Sequence, residues 1–267
     1  MHVLVTRPEP QASAWAADLR HAGWGAHALP LITIDGPSDP VPVQTLWHAM
    51  AAQALLMFVS PAAVDWFFRL KPTDAHWAPH TLAAAPGPGT AHQLLAAGHL
   101  AGLKPDQVLS PDAQADQFDS EALWPLLAPL NWQGKQVCII SGGDQNEAKG
   151  RTWLTAQWQD KGAQVTSLLT YQRGPGSWTL DQQRLARQAL SAPADHIWQF
   201  SSSQAIDFLV DHHLPPLALA SPPDWAQTRA VVTHPKIAER ARQLGLTRIT
   251  QTRPTLQAVV EALRSAE

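Results

Sequence analysis

Hydroxyls placed just after apolar runs, with cations set among them, are the residues of this sequence whose types and spacing could do chemistry. Ser60 follows Leu55–Val59, Ser202 follows Ile197–Phe200, and Thr90 follows the turn Gly87-Pro88-Gly89; each opens a segment of helical period. A hydroxyl in that position caps the helix, which is worth about 1 kcal/mol. The first-turn N–H groups beside it can also hold a carboxylate. Capping and substrate contact are compatible, so both readings stand for each of the three. Arg7 ends the first apolar run and is a candidate carboxylate clamp, because a guanidinium meets a carboxylate with two parallel donors. Arg151, Arg173, Lys236 and Arg253 are further candidates, although surface cations are usually just solvated. His234 opens a helical segment where Gly87 opens another, and could line a site or simply cap. Tyr171 is the single tyrosine. A phenol titrates near 10 and is therefore a proton donor at neutral pH; the plainer reading is an aromatic packed at a strand end.

Several chemistries are excluded. The histidines, His212-His213 included, show no i, i+4 pattern with acids, and one cysteine allows neither a thiolate zinc site nor an internal disulfide. Gly87-Pro88-Gly89 lacks the third glycine and the downstream acid of a dinucleotide fingerprint; neither a P-loop nor a Gly-x-Ser-x-Gly elbow occurs. An enzyme without cofactor or metal is the expectation. The net charge of −3 provides no basic field for nucleic acid or an anionic membrane, so an anionic substrate must be met by a local group of Arg and Lys. Cys138, inside Val137–Ile140, reads as a buried structural thiol. Met1–Pro8 reads as a strand rather than an export signal, and no apolar run approaches the roughly 20 residues that span a bilayer. A cytoplasmic monomer is expected, with most of the 12 tryptophans in the core.

The elements that must position these groups alternate. Val3–Thr6, Leu55–Val59, Val137–Ile140, Val165–Leu169, Ile197–Phe200 and Ala230–Thr233 read as buried strands. Pro10–Ala22, Pro61–Leu70, Thr90–Ala97, Ser120–Leu127, Gly150–Lys161, Ser203–Val210 and Lys236–Leu244 read as helices, with Gly23, Gly98, Gly162 and Gly245 at left-handed C-caps. Strand–helix alternation predicts parallel, doubly wound α/β sheets. The sequence also repeats. Phe58–Asp65 matches Phe200–Asp207, Gly87–Ala91 with Gly98 matches His234–Ala238 with Gly245, and Val3–Thr6 matches Cys138–Ser141. Breaker-rich stretches at Asp35–Pro40 and Gln172–Gly176 place one lobe at 40–170, inserted into another made of 1–35 and 175–267, with crossings at 36–39 and 171–174. Two crossings imply a hinge with a cleft between the lobes. Ligands in open α/β sheets bind beyond the strands' carboxyl ends.

Taken together, Leu4–Pro8, Leu29–Ile32, Phe58–Val64, Gly87–Ala91, Asp119–Leu123, Lys161–Val165, Tyr171-Gln172-Arg173, Phe200–Ser203 and Thr233–Ala238 carry a likeness. In order and spacing the chain resembles the uroporphyrinogen-III synthase family over essentially its whole length. The resemblance implies two similar Rossmann-like or flavodoxin-like lobes joined by a two-stranded linker. It implies a hydro-lyase that needs no cofactor, closing hydroxymethylbilane to uroporphyrinogen III with loss of water and inversion of the last pyrrole. It implies that Tyr171, in the family's Tyr-x-Arg pattern, faces the cleft and donates to the departing hydroxyl. Transient contact with the preceding pathway enzyme would accompany this. The chain departs from the family at Ser141-Gly142-Gly143-Asp144, where an Arg-Gly element is common; Lys149 or Arg151 would then supply the charge. Ala62 also stands where the family often has a polar side chain. The alternative function is a two-lobed domain that binds an anionic ligand, or a synthase-like domain that has lost catalysis.

Overall fold

The computed structural model describes residues 1–112, 120–144, 147–148 and 152–265. The chain divides into two compact units, Met1–Thr33 with Gly174–Glu267, and Ile34–Arg173. From the start run β1 (His2–Val5), α1 (Gln11–His21), β2 (Gly25–Ala28), β3 (Thr33–Asp35), α2 (Val41–His48), β4 (Gln53–Phe58) and α3 (Pro61–Arg69). Next come β5 (Leu82–Ala84), α4 (Pro88–Gly98), β6 (Val108–Leu109), α5 (Ser120–Leu127), β7 (Gln136–Asp144), β8 (Glu147–Ala148), α6 (Thr152–Asp160) and β9 (Gln164–Gly174). The chain ends with α7 (Leu180–Ser191), β10 (His196–Phe200), α8 (Ser203–Phe208), β11 (Arg229–Val232), α9 (Pro235–Leu244), β12 (Arg248–Gln251) and α10 (Leu256–Ser265). Among the described residues no helix is long and apolar enough to cross a membrane.

The first unit holds a parallel sheet in the order β12-β11-β10-β1-β2. Leu4, Trp198 and Phe200 face one core with α7, α8 and α9. Val3, Val5 and Ile197 face the other with α1 and α10. In chain order this is the doubly wound arrangement 2-1-3-4-5, whose direction of winding reverses between β1 and β10. The second unit runs β6-β5-β4-β7-β9, extended by β3 beside β9 and by the antiparallel β8 on β7. It is the same arrangement entered at a different strand, with its reversal between β4 and β7. Cys138, Ile140 and Leu168 face α3 and α4. Val137, Ile139 and Val165 face α5 and α6.

The strands equate the two units one residue differently from the sequence match. Leu4 pairs with Trp198, and Cys138 pairs with Leu56. With Phe58 equivalent to Phe200, Leu4 therefore answers to Cys138 and Val3 to Val137, not Val3 to Cys138. A one-residue slip would exchange the two faces, and the shared cores exclude it. Gly98 is a second correction. Its φ of −77° is right-handed, and the left-handed residue is Gly102 at φ +90°. Gly98 is glycine for space, because a Cβ there would come within 2.5 Å of Leu103.

The strands expected at β1, β4, β7, β10 and β11 are buried on both faces, whereas Val165–Leu169, expected to be buried, is half-buried or exposed in β9. The strands that go unmarked in the sequence are short, alanine-rich or at an edge, as with Leu82-Ala83-Ala84 and Arg248-Ile249-Thr250-Gln251. Helix α7 offers only a narrow stripe of Ala186, Ala189 and Leu190 on an otherwise polar segment, and is fixed at its start by a capping box of Thr179 with Gln182.

Candidate functional site

The reversal point of the second unit is built by a bulge. Strands β7 and β9 pair regularly from Gln136↔Gln164 to Ser141↔Leu169, and then Gly142 pairs with Tyr171. Thr170 is the extra residue. Its buried hydroxyl reaches the carbonyls of Ser141 (3.3 Å) and Ala63 (3.4 Å). Without the bulge Tyr171 would share a face with Val165 and Leu169; with it, the ring crosses to the face of Ile140 and α3. Gly142 makes that possible, since a Cβ on it would lie 2.1 Å from the Tyr171 ring.

Tyr171 is 1% exposed, and its hydroxyl has two hydrogen-bond neighbours. Arg173 Nη2 donates to Tyr171 Oη at 3.1 Å, and Ser60 Oγ lies 3.2 Å away. Ser60 is half-buried in extended backbone before α3, and its Oγ accepts the Ala63 N–H at 3.2 Å. Proline at the first helical position follows it, where the missing N–H costs nothing. Gly87 stands at the same point before α4, without a side chain to cap it. Thr90, two residues into the helix, is buried. A Cβ on Gly89 would meet open space, so the start of α4 is uncrowded. Asp65 on α3 accepts from Gln93 on α4, tying the middles of the two helices together. Arg151 and Lys149 lie outside the described residues.

The first unit's reversal point uses other chemistry. Arg7, two residues beyond the end of β1, is folded back with its guanidinium carbon 3.7 Å above the Trp15 ring and Nη1 donating to Gln11 (3.1 Å). Burial pushes its pKa below the ordinary guanidinium value. Gln11 and Trp15 of α1 are not among the candidates read from the sequence; their i+4 and i+8 spacing from Arg7 is the signal that could have found them. Ser202 precedes α8 but makes no capping bond with its side chain. His234 does cap, its Nδ1 accepting the Lys236 N–H at 3.1 Å, and both side chains are exposed. Asp207 on α8 pairs with Arg240 on α9, at the positions equivalent to Asp65 and Gln93. Arg253 is exposed beyond β12 on a cavity of about 550 Å³ that Glu261 also lines, an acid unfavourable to an anion there.

The arrangement brings Ser60, Tyr171 and Arg173 into one hydrogen-bonded group, sets Arg7 beyond the other unit's first strand, and leaves the Lys236 side chain exposed. It can present donors and positive charge to an anion and move a proton along hydroxyls. Cys138 is buried, and burial pushes its thiol up to about 11, away from nucleophilic use. Among the described residues, no group of three or more His, Cys, Asp or Glu side chains could hold a metal ion.

Comparisons with known proteins agree over nearly the full length. The family model of uroporphyrinogen-III synthase matches residues 13–261. Two solved structures align with a TM-score of 0.58 and 16% identity. One is a mutant uroporphyrinogen III synthase from the extremely thermophilic bacterium Thermus thermophilus, covering 99% of this chain and 97% of that one. The other is uroporphyrinogen-III synthetase from Helicobacter pylori, covering 100% and 99%. At such identity the two structures speak for the fold.

Proposed function

The chain belongs to the uroporphyrinogen-III synthase family, lyases that cyclise hydroxymethylbilane, and we propose that here Tyr171 is the source of the proton for the departing hydroxyl. In the reaction the bilane loses its terminal hydroxyl as water and closes to uroporphyrinogen III with the last pyrrole inverted. Pyrroles are electron-rich, so the ring nitrogen expels the hydroxyl once its oxygen is protonated, giving an azafulvene. Attack from the substituted carbon of the last ring gives a spiro intermediate that leads to isomer III. End-to-end closure would give isomer I. Choosing between them is a matter of orientation, to which acid assistance adds speed.

One observation supports the assignment above others: the chain's single phenol is carried by a bulge to a strand end and held there by Ser60 and Arg173. The substrate's carboxylates are met by first-turn amides at the helix starts marked by Ser60, Gly87 with Thr90, Ser202 and His234, and by Arg7, Lys236 and Arg151. The reading also takes the enzyme to be a cytoplasmic monomer. It would receive the bilane in transient contact with the enzyme that makes it, since free bilane closes to isomer I unaided.

The test is to feed freshly generated hydroxymethylbilane to the purified protein without added metal or cofactor, then oxidise and separate the porphyrin isomers. Isomer III should predominate. Isomer I in the proportion of a protein-free control would reject catalysis and leave a binding or catalytically lost domain.

A further inference from the structure

We propose that the proton reaches the substrate through Ser60, which is the group that touches the leaving hydroxyl, while Arg173 sets the direction of the relay by fixing the Tyr171 phenol. The inference rests on the reading of Tyr171 as proton source and adds the path.

Hydrogen-bond bookkeeping gives the direction. A guanidinium has donors and no acceptor, so the bond from Arg173 Nη2 occupies a lone pair of Tyr171 Oη and the phenolic hydrogen must point elsewhere. The partner within reach is Ser60 Oγ, at 3.2 Å. That oxygen already accepts the Ala63 N–H. With the phenol donating as well, both Ser60 lone pairs are used, and its own hydrogen is the donor left over. Burial agrees: Tyr171 is 1% exposed and Ser60 is half-buried, so the serine is the accessible end of the chain. In the first unit Ser202 occupies the equivalent place, and Ile32 stands at the corresponding count beyond β2, buried in the core. The relay therefore has no duplicate there.

The step balances. The pyrrole nitrogen lone pair pushes the ring π electrons round to form the double bond between the ring α-carbon and the methylene, leaving an azafulvenium cation, and the C–O pair leaves with the oxygen. That oxygen takes the Ser60 proton and departs as water. Ser60 takes the Tyr171 proton, and the resulting phenolate rests beside the Arg173 cation. The ring carbon that loses a proton when the closed macrocycle regains aromaticity returns it by the same path.

The experiment measures kcat and KM for hydroxymethylbilane in Ser60→Gly, Ser60→Thr, Tyr171→Phe and the double variant Ser60→Gly/Tyr171→Phe. Glycine is chosen because it is among the residues a helix start tolerates best at the capping position; a thermal melt on each variant checks folding. Ser60→Gly should lower kcat by about 100-fold with little change in KM, and Ser60→Thr should restore most of it. The double variant should be no slower than the slower single, since both cut one path. Arg173→Lys, still a pure donor, should keep more kcat than Arg173→Gln, whose carbonyl can draw the phenolic hydrogen back. Three results would overturn the relay: a Ser60→Gly effect confined to KM, single effects that multiply in the double variant, or Ser60→Gly at wild-type kcat. Wild-type kcat in Tyr171→Phe would be a different failure, that of the proton source itself.

Discussion

The two units share a sheet order and even a tie between equivalent helices, yet they arm the same place differently. At the second unit's reversal point a bulge at Thr170 and a bare Gly142 admit a phenol that bonds Ser60 and Arg173. At the first unit's, Ile32 fills the corresponding core position, Ser202 makes no capping bond, and Arg7 lies over Trp15. The helix tie is an ion pair in one (Asp207–Arg240) and a neutral-partner hydrogen bond in the other (Asp65–Gln93). One scaffold thus supports two tasks: the second unit concentrates hydroxyls that can pass a proton, and the first presents charge that can hold carboxylates.

The largest expected effect comes from closing the space that distinguishes the second unit. Gly142→Ala puts a methyl 2.1 Å from the Tyr171 ring, and overpacking of this kind costs about 1–3 kcal/mol or more. The melting temperature should fall, and turnover should drop to the level of Tyr171→Phe. Unchanged turnover would mean that the ring's seat on Gly142 does not matter to the reaction.

Removing the first unit's charge should act on binding instead. Arg7→Gln is expected to raise KM about ten-fold, near 1.4 kcal/mol, with kcat within about two-fold. A fall in kcat at constant KM would erase the division of labour between the units.

Acid should weaken the first unit before the second. Burial, and then the charges of His2, Arg20 and His196, hold His27 below its ordinary pKa. Burial does the same to His213, which stacks 4.2 Å from Trp178, against the opposing pull of its bonds to the Leu31 and Pro175 carbonyls. With folded values below the unfolded value near 6.5, the unfolded chain gains protons first as pH falls. This stability is therefore complete above about 6.5 and is lost as pH falls through the lowered values. Hydrogen exchange between pH about 7.5 and about 5.5 should rise in β1 and β2 more than in β4 and β7. The reverse order would show that these two histidines do not govern acid stability.

Much of the architecture was legible because β1, β4, β7, β10 and β11 are apolar on both faces, and because Phe58–Asp65 and Phe200–Asp207 repeat strand, serine and helix. The site was legible in its residue types but not in its assembly. Ser141–Asp144 looked like the loss of an expected Arg-Gly element; in the fold the glycine is the space the Tyr171 ring needs. Nothing local marks Thr170 as a bulge, because the extra residue exists only in pairing with a strand 29 positions away in sequence. The one-residue slip in matching Val3 arose the same way: apolar runs look alike in either register, and only the partner strands assign their faces.

The most direct test of the central claim is the reaction of hydroxymethylbilane with Tyr171→Phe, following rate and isomer ratio in the same experiment. Turnover should be slowed by about 100-fold with isomer III still the product, because the proton path is cut while the groups that orient the substrate remain. Wild-type turnover, or a product that reverts to isomer I at full substrate occupancy, would contradict the separation of proton delivery from orientation.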